Sequence, residues 1–223
     1  MKSQLLLLIG IIAMIATPVC NNSSNGPSDV IVGSGNVVTE NRQVSGFHGI
    51  AVSGAGEVSV ERTGNESLTI TSDDNILPHL ESVVRNGILL LGPETNVSVT
   101  PSQGIVYRLT ASTFDEIDVS GAVAVTADGI DTELLETNMS GACTVITEGK
   151  ADSQDIATSG SSIYNGENLD SRSVNISVSG TSYIVVRVSE LLEGQVSGSA
   201  VVEYIGNPTV NVTVSGTAVV RPR

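Results

Sequence analysis

The chain has 223 residues and a formal net charge of −14; setting Lys2 aside with an amino-terminal leader leaves nine basic and 24 acidic residues, 9 − 24 = −15. Such a balance counts against nucleic acid and anionic membrane surfaces as partners, which would have to be approached against like charge. Aromatic residues are only 3 %, Trp is absent and Gly reaches 23, a composition that suits an all-β chain of thin strands and many corners and counts against a sugar site built on stacking platforms.

Residues 1–20 read as an export signal, with Lys2 as the positive start and an apolar stretch from Leu5 to Ile15 too short to span a bilayer. The polar tract that follows makes 21–29 a flexible tether, so the expected location is the cell envelope: outer membrane-attached, periplasmic or extracellular. Cys20 stands where a lipoprotein signal places its acylated cysteine, although Thr17-Pro18-Val19 departs from the small residue expected just before it. Lipidation of Cys20 would be the chain's one membrane contact. Cleavage nearby is an alternative, and a Cys20 to Cys143 bridge is another, which would exclude lipidation. Two cysteines make no disulfide framework, and a chain of this length buries a core without one.

The domain proper runs over 30–223. Its first half, 30–117, holds short strands separated by Gly corners, through Gly33-Ser34-Gly35-Asn36 and then Val44-Ser45-Gly46-Phe47-His48-Gly49-Ile50-Ala51-Val52-Ser53-Gly54. Leu68-Thr69-Ile70 is a strand, and Asp73-Asp74-Asn75-Ile76-Leu77-Pro78-His79-Leu80-Glu81 predicts one or two helical turns despite Pro78. Asn86-Gly87, between Val83-Val84 and Ile88-Leu89-Leu90, predicts a tight hairpin. Strands at 97–99 and 107–110 complete this half.

From 118 to 223 one unit recurs: Ser120-Gly121, Ser140-Gly141, Ser159-Gly160, Ser179-Gly180, Ser197-Gly198 and Ser215-Gly216, with serines 20, 19, 20, 18 and 18 residues apart. So constant a period marks stacked rungs. Residues before each pair alternate apolar and polar, as in Val174, Ile176, Val178, the pattern of a strand with one buried face. After it, a small column (Ala122, Ala142, Ser161, Thr181, Ser199, Thr217) and a larger one (Val125, Val145, Tyr164, Ile184, Val202, Val220) are both expected to line the lumen. Cys143 shares a repeat position with Val123, Ser162, Ser182, Ala200 and Ala218, which makes it a small buried residue. The Ser-Gly pairs are corner chemistry: Gly supplies the backbone angles and a short hydroxyl satisfies a nearby backbone group. Six equivalent serines, none near a histidine in sequence, are not an array of nucleophiles.

The fold class that follows is a short right-handed parallel β-helix of about 18–20 residues per rung with a less regular amino-terminal half containing a hairpin. A β-sandwich is the alternative, against which the constant spacing argues. Six rungs at about 4.8 Å span only some 25 to 30 Å. Because a β-helix exposes unpaired edges at its ends, dimerisation through the ends or capping is required; the first half is placed to cap one end and Arg221-Pro222-Arg223 to blunt the other.

The order Gly-Ser-Gly-Asn, Val-Ser-Gly-Phe-His-Gly-Ile-Ala-Val-Ser-Gly-Ala-Gly, Asp-Asp-Asn-Ile-Leu, the Asn-Gly hairpin and Phe114-Asp115-Glu116-Ile117-Asp118-Val119-Ser120-Gly121 resembles the bacterial putative auto-transporter adhesin, head GIN domain family. The likeness covers Val30 to Val220. It implies an exported or lipid-anchored envelope protein with a β-helix-like fold and names no receptor. Here the sequence given closes on Arg223 without a translocating barrel.

Three sets of residues invite chemistry. Asp115, Glu116 and Asp118 are the densest carboxylates near strand residues and the best acid-base candidates, with a solvated edge strand as the plainer explanation. Asp131, Asp152, Asp170 and Glu190 fall 11 or 12 residues after their serines, which would stack them along one edge where calcium accepts such oxygens; solvent-facing turn residues are the plainer explanation. His48 and His79 are too isolated for zinc. The expected function is therefore a non-enzymatic, adhesin-like binding or scaffolding module with no required cofactor and an unidentified envelope or extracellular ligand. A carbohydrate-active or calcium-dependent surface protein is the alternative.

Overall fold

The computed structural model describes residues 29–223; the signal, Cys20 and nearly all of the tether lie outside the described residues. In chain order the strands are β1 (Asp29–Val32), β2 (Val37–Arg42), β3 (Gly49–Val52), β4 (Ala55–Arg62) and β5 (Ser67–Asp73), then a short 3-10 helix (Leu77–His79). There follow β6 (Leu80–Arg85), β7 (Ile88–Pro93), β8 (Val97–Thr100), β9 (Val106–Ala111), β10 (Glu116–Gly141), β11 (Thr144–Gly160), β12 (Ile163–Gly180), β13 (Tyr183–Val196), β14 (Val201–Ile205), β15 (Thr209–Val214) and β16 (Val219–Pro222). The Asn-Gly hairpin is present, and of the helical segment expected from Asp73 to Glu81 a single 3-10 turn forms at Leu77–His79, with Asp73 ending β5 and Leu80 and Glu81 opening β6. Asn86 and Gly87 have φ of 53° and 84°, the two positive values a tight β-hairpin turn requires.

From β10 onward the chain is a parallel β-solenoid of about five turns: β10 to β13 stack in order, β14 and β15 both lie on β13, and β16 lies on β14. A β-sandwich is excluded by that continuous parallel ladder. Each rung has three sides. The first precedes Ser-Gly, the second follows it, and a short third side, such as 130–132 or 149–151, returns the chain. Strands must alternate inward and outward side chains, so the apolar positions fall into vertical columns in the lumen. One runs Tyr107, Val58, Val125, Val145, Tyr164, Ile184, Val202, Val220 through the whole molecule. The column Val123, Cys143, Ser162, Ser182, Ala200 is buried as expected, and Cys143 is a free thiol only 1 % exposed. A bridge from Cys20 would have to open this lumen.

The small column is a correction: Ala122, Ala142, Ser161, Thr181, Ser199 and Thr217 face outward and are exposed. They stand three residues from the Val125 column, and a period of two places such positions on opposite faces.

The Ser-Gly corner is stacked too. Gly160 has φ of 103°, and a Cβ there would fall 2.6 Å from the Gly141 carbonyl oxygen, while the Gly141 carbonyl also accepts the Ser161 N–H at 2.8 Å. Only a residue without Cβ permits this approach. The same stack continues below Ser120-Gly121 to Ser53-Gly54, whose carbonyl accepts the Ala122 N–H at 2.8 Å. Serine assists at several corners, donating from Ser197 Oγ to Val178 O at 3.1 Å and, more weakly, from Ser179 Oγ to Thr158 O at 3.4 Å.

The first half closes one end. Beneath β3 and β4 lie parallel β7 and β9, then antiparallel β6 on one side and antiparallel β5 and β2 on the other. Its Gly-Ser-Gly-Asn and Asp-Asp-Asn segments meet. The buried Asp73 carboxylate accepts from Gly35 N at 2.7 Å, Ser102 N at 2.8 Å and Ser102 Oγ at 2.7 Å, and Asp74 accepts from Ser34 Oγ at 2.6 Å and Asn36 Nδ2 at 2.8 Å. At the other end Val210 and Val214, which continue inward columns, are 39 % and 44 % exposed. Arg221 and Pro222 lie on the outermost strand, with Arg221 on Glu203 at 2.6 Å and Arg223 on Glu167 at 2.8 Å.

One lumen feature has no counterpart in the sequence reading. Thr147 Oγ1 donates to Tyr164 OH at 3.0 Å, Tyr164 OH to Gln154 Oε1 at 2.7 Å, and Gln154 Nε2 to Ser171 Oγ at 2.6 Å, all buried. Buried polar groups must be paired, and this chain of hydrogen bonds pairs them across two rungs.

Candidate functional site

The third side gathers charges of both signs around a hollow. Its register stacks Asp131 on Lys150, Lys150 on Asp170 and Asp170 on Arg187, and Arg62 reaches Asp131 at 3.6 Å from below. The column therefore alternates cation and anion rung by rung. A second set flanks it: Arg172 meets Glu190 through Nε at 3.0 Å and Nη2 at 3.3 Å, with the Asp152 carboxylate close enough to act on its charge. The hydrogen bonds from Arg172 hold the Glu190 carboxyl below the usual range, and those same bonds raise Arg172.

The expected edge of four stacked acids, Asp131, Asp152, Asp170 and Glu190, is thus overturned. The structure divides them between two sets and interleaves them with Lys150, Arg187 and Arg172. The cause is the corner between second and third sides, where the register slips between Ala127 and Ile130, Ile146 and Glu148, and Gly166 and Asp170. Counting from the serines misaligns every residue beyond those slips. Among the described residues no three His, Cys, Asp or Glu side chains gather as a metal group.

Between these columns lies a cleft of about 450 Å³, floored by Ala151, Ser171, Val188 and Ile205 and walled by Lys150, Asp152, Asp170, Arg172 and Arg187. Arg187 is held, donating from Nε to Glu167 O at 2.7 Å and pairing with Asp170 at 3.6 Å. Lys150 is exposed and, among the described residues, takes part in no ion pair. The cleft thus offers one uncommitted cation among carboxylates and fixed guanidiniums.

The acid-base candidates separate. Asp115 Oδ1 lies 2.6 Å from His48 Nδ1 in a hollow of about 480 Å³ with Glu116, Glu133 and Glu136. His48 is wedged against the hairpin turn, where a Cβ on Gly87 would fall 2.5 Å from Nε2. Asp118 lies instead in a hollow of about 210 Å³ beside Ser53 and Ser120, its carboxyl raised by burial. His79 pairs with Glu94 at 3.8 Å, in a different part of the first half. The structure does build an acidic column on the outward face of the first side: Glu136, Asp155, Asn175, Glu193 and Asn211 stack in register, with Glu116 beneath Glu136. The sequence signal was available, since each stands four residues before a repeat serine and no slip intervenes.

The family described as putative auto-transporter adhesin, head GIN domain, matches residues 46–208. Solved structures share the fold. A putative adhesin from Bacteroides fragilis superposes with a TM-score of 0.66 at 21 % identity, covering 86 % of this chain and 98 % of that one. A putative adhesin from Parabacteroides merdae gives 0.57 at 15 %, with coverage of 88 % and 100 %. A putative lipid binding protein from Parabacteroides distasonis gives 0.54 at 17 %, with 87 % and 100 %. No curated protein matches the chain.

Proposed function

Because this chain belongs to the putative auto-transporter adhesin, head GIN domain family, we propose that it is an exported, non-enzymatic binding module of the cell envelope that recognises a polar, charged ligand with the third side of its solenoid. The observation that carries this reading is the cleft around Lys150, Asp152, Asp170, Arg172 and Arg187. Its cations sit on a stacked scaffold and two are oriented by carboxylates, so little ordering is needed when a ligand arrives. Lys150 is free to meet a carboxylate or sulfate, the N–H groups of Arg172 and Arg187 not already bonded within the protein donate beside it, and Asp152 and Asp170 accept from hydroxyls. A short glycan carrying an anionic group among its hydroxyls supplies both kinds of group, and its charge meets the three cations of the cleft, Lys150, Arg172 and Arg187, where a long polyanion would be opposed by the chain's net charge of −14. The separation of Asp115 from Asp118 supports binding without turnover.

An immobilised glycan panel containing uronic and sulfated sugars tests the proposal. Binding that falls at least tenfold in Lys150→Glu and in Arg172→Ala supports it. Binding nowhere on the panel, or binding indifferent to both substitutions, refutes it. Depolymerisation abolished by Asp115→Ala with Asp118→Ala would overturn the non-enzymatic assignment. Export with lipidation of Cys20 belongs to the same proposal, and the mass of the processed amino terminus decides it.

A further inference from the structure

The walls of the third-side cleft form a checkerboard of charge. On β11 Lys150 and Asp152 face outward on either side of the buried Ala151, and on β12 Asp170 and Arg172 do the same around Ser171. The register sets Lys150 on Asp170, Ala151 on Ser171 and Ser153 on Ser173, which places Asp152 beside Arg172. Sign therefore alternates along each strand and from one rung to the next, with about 7 Å between outward neighbours on a strand and about 4.8 Å between rungs. Part of this charge is already answered within the protein: Arg187 pairs with Asp170 at 3.6 Å and Arg172 with Glu190 at 3.0 Å. Asp152 acts on the charge of Arg172, but the guanidinium gives its hydrogen bonds to Glu190. Lys150 and Asp152 are both exposed, and among the described residues neither takes part in an ion pair. One cation and one anion are thus left over, on the same face of one strand, at the wall of a cleft of about 450 Å³.

We propose, resting on the reading of this cleft as a glycan site, that its ligand is zwitterionic: a short glycan whose acidic group meets Lys150 and whose free amino group meets Asp152. Charge selects this class. A ligand bearing an anion alone satisfies Lys150 but sets that anion near the unanswered Asp152 carboxylate, in a molecule of net charge −14. A ligand bearing a cation alone leaves Lys150 in the same position. One that carries both answers both, and because it is neutral overall the net charge does not oppose its approach. Discrimination has the same source, since an analogue without the amine leaves the Asp152 carboxylate unpaired where the bound ligand has displaced water.

Isothermal titration calorimetry at about pH 6, where a sugar amine is protonated, compares two probes: a disaccharide of a uronic acid and glucosamine with its amine free, and the same disaccharide N-acetylated. The wild type is expected to bind the free amine at least tenfold more tightly. In Asp152→Asn, its fold checked by circular dichroism, that preference is expected to vanish while the acetylated probe binds no more weakly than before. In Lys150→Gln both probes are expected to weaken at least tenfold. Equal affinity of the wild type for the two probes, lost in Lys150→Gln, overturns the zwitterionic ligand and leaves the anionic glycan of the wider reading standing. A preference for the free amine that survives in a folded Asp152→Asn also overturns it. So does binding of neither probe by the wild type, and the glycan panel then decides the wider reading on its own.

Discussion

Gly160→Ala tests the reading of Ser-Gly as corner chemistry. Gly160 has φ of 103°, and the added methyl would lie 2.6 Å from the Gly141 carbonyl oxygen and 3.0 Å from the Gly141 nitrogen. Both are backbone atoms of the rung below, so neither can swing aside as a flexible side chain would. Adopting positive φ costs an L-residue about 1 to 2 kcal/mol, and a backbone held in a sparsely populated region costs about 1 to 3 kcal/mol in all. Relieving the contact would lengthen the Ser161 N–H to Gly141 O hydrogen bond, now 2.8 Å. Ser159→Ala, one residue earlier, removes an exposed hydroxyl and should stay within about 0.5 kcal/mol. For a domain of this size about 2 kcal/mol corresponds to roughly 4 to 8 °C in melting temperature. Urea unfolding and thermal melts of the two variants therefore give opposite answers. If Gly160→Ala melts with the wild type, or Ser159→Ala is the more damaging, the corner argument is wrong.

Two tyrosines in one lumen column should behave differently: Tyr164→Phe leaves Gln154 Oε1 without its donor and Thr147 Oγ1 without its acceptor, and should cost about 1 to 3 kcal/mol in urea unfolding. Tyr107 OH is buried with no partner among the described residues, so Tyr107→Phe should be neutral or stabilising by the same denaturant assay. Asp73 is held below the usual carboxylate range by its bonds to Ser102, and Asp74 by those to Ser34 and Asn36. Their contribution is fully present above the unfolded carboxylate value, about 4, and is lost as pH falls through the depressed folded value; melting temperature from pH 7 to pH 2 should drop less steeply in Asp73→Asn. Lys150→Glu places three carboxylates in consecutive rungs, and should destabilise by about 0.5 to 1 kcal/mol at low salt, an effect that fades in added NaCl. Equal loss at high salt would contradict the alternating register.

The solenoid was legible because its signal is redundant: six Ser-Gly pairs, each fixed by a glycine that nothing else can replace. On the first side the distance from outward residue to serine is constant, so the column from Glu116 to Asn211 is visible in the spacing alone. On the third side it is not. Lys150 lies 10 residues beyond Ser140, Asp170 lies 11 beyond Ser159 and Arg187 lies 8 beyond Ser179, yet they stack in one column. The slips that absorb this difference are local bulges, and a bulge leaves no mark in hydrophobic alternation. The buried Thr147, Tyr164, Gln154, Ser171 chain was hidden for a related reason. Gln154 occupies an inward position that periodicity assigns to an apolar residue, and only the neighbouring rung reveals the Tyr164 hydroxyl that makes it tolerable.

Inward columns are constrained by packing, so every rung must place a residue of compatible volume there, and the rungs come to resemble one another. Outward columns carry no such constraint. The acidic column of the first side and the alternating column of the third therefore do not follow from building the stack, which would be equally sound with any polar mixture on each wall. An alternating column gains little stability from exposed pairs, whose worth is typically below 1 kcal/mol. What remains to account for the alternation is contact: a cleft that holds its charges in place for a ligand.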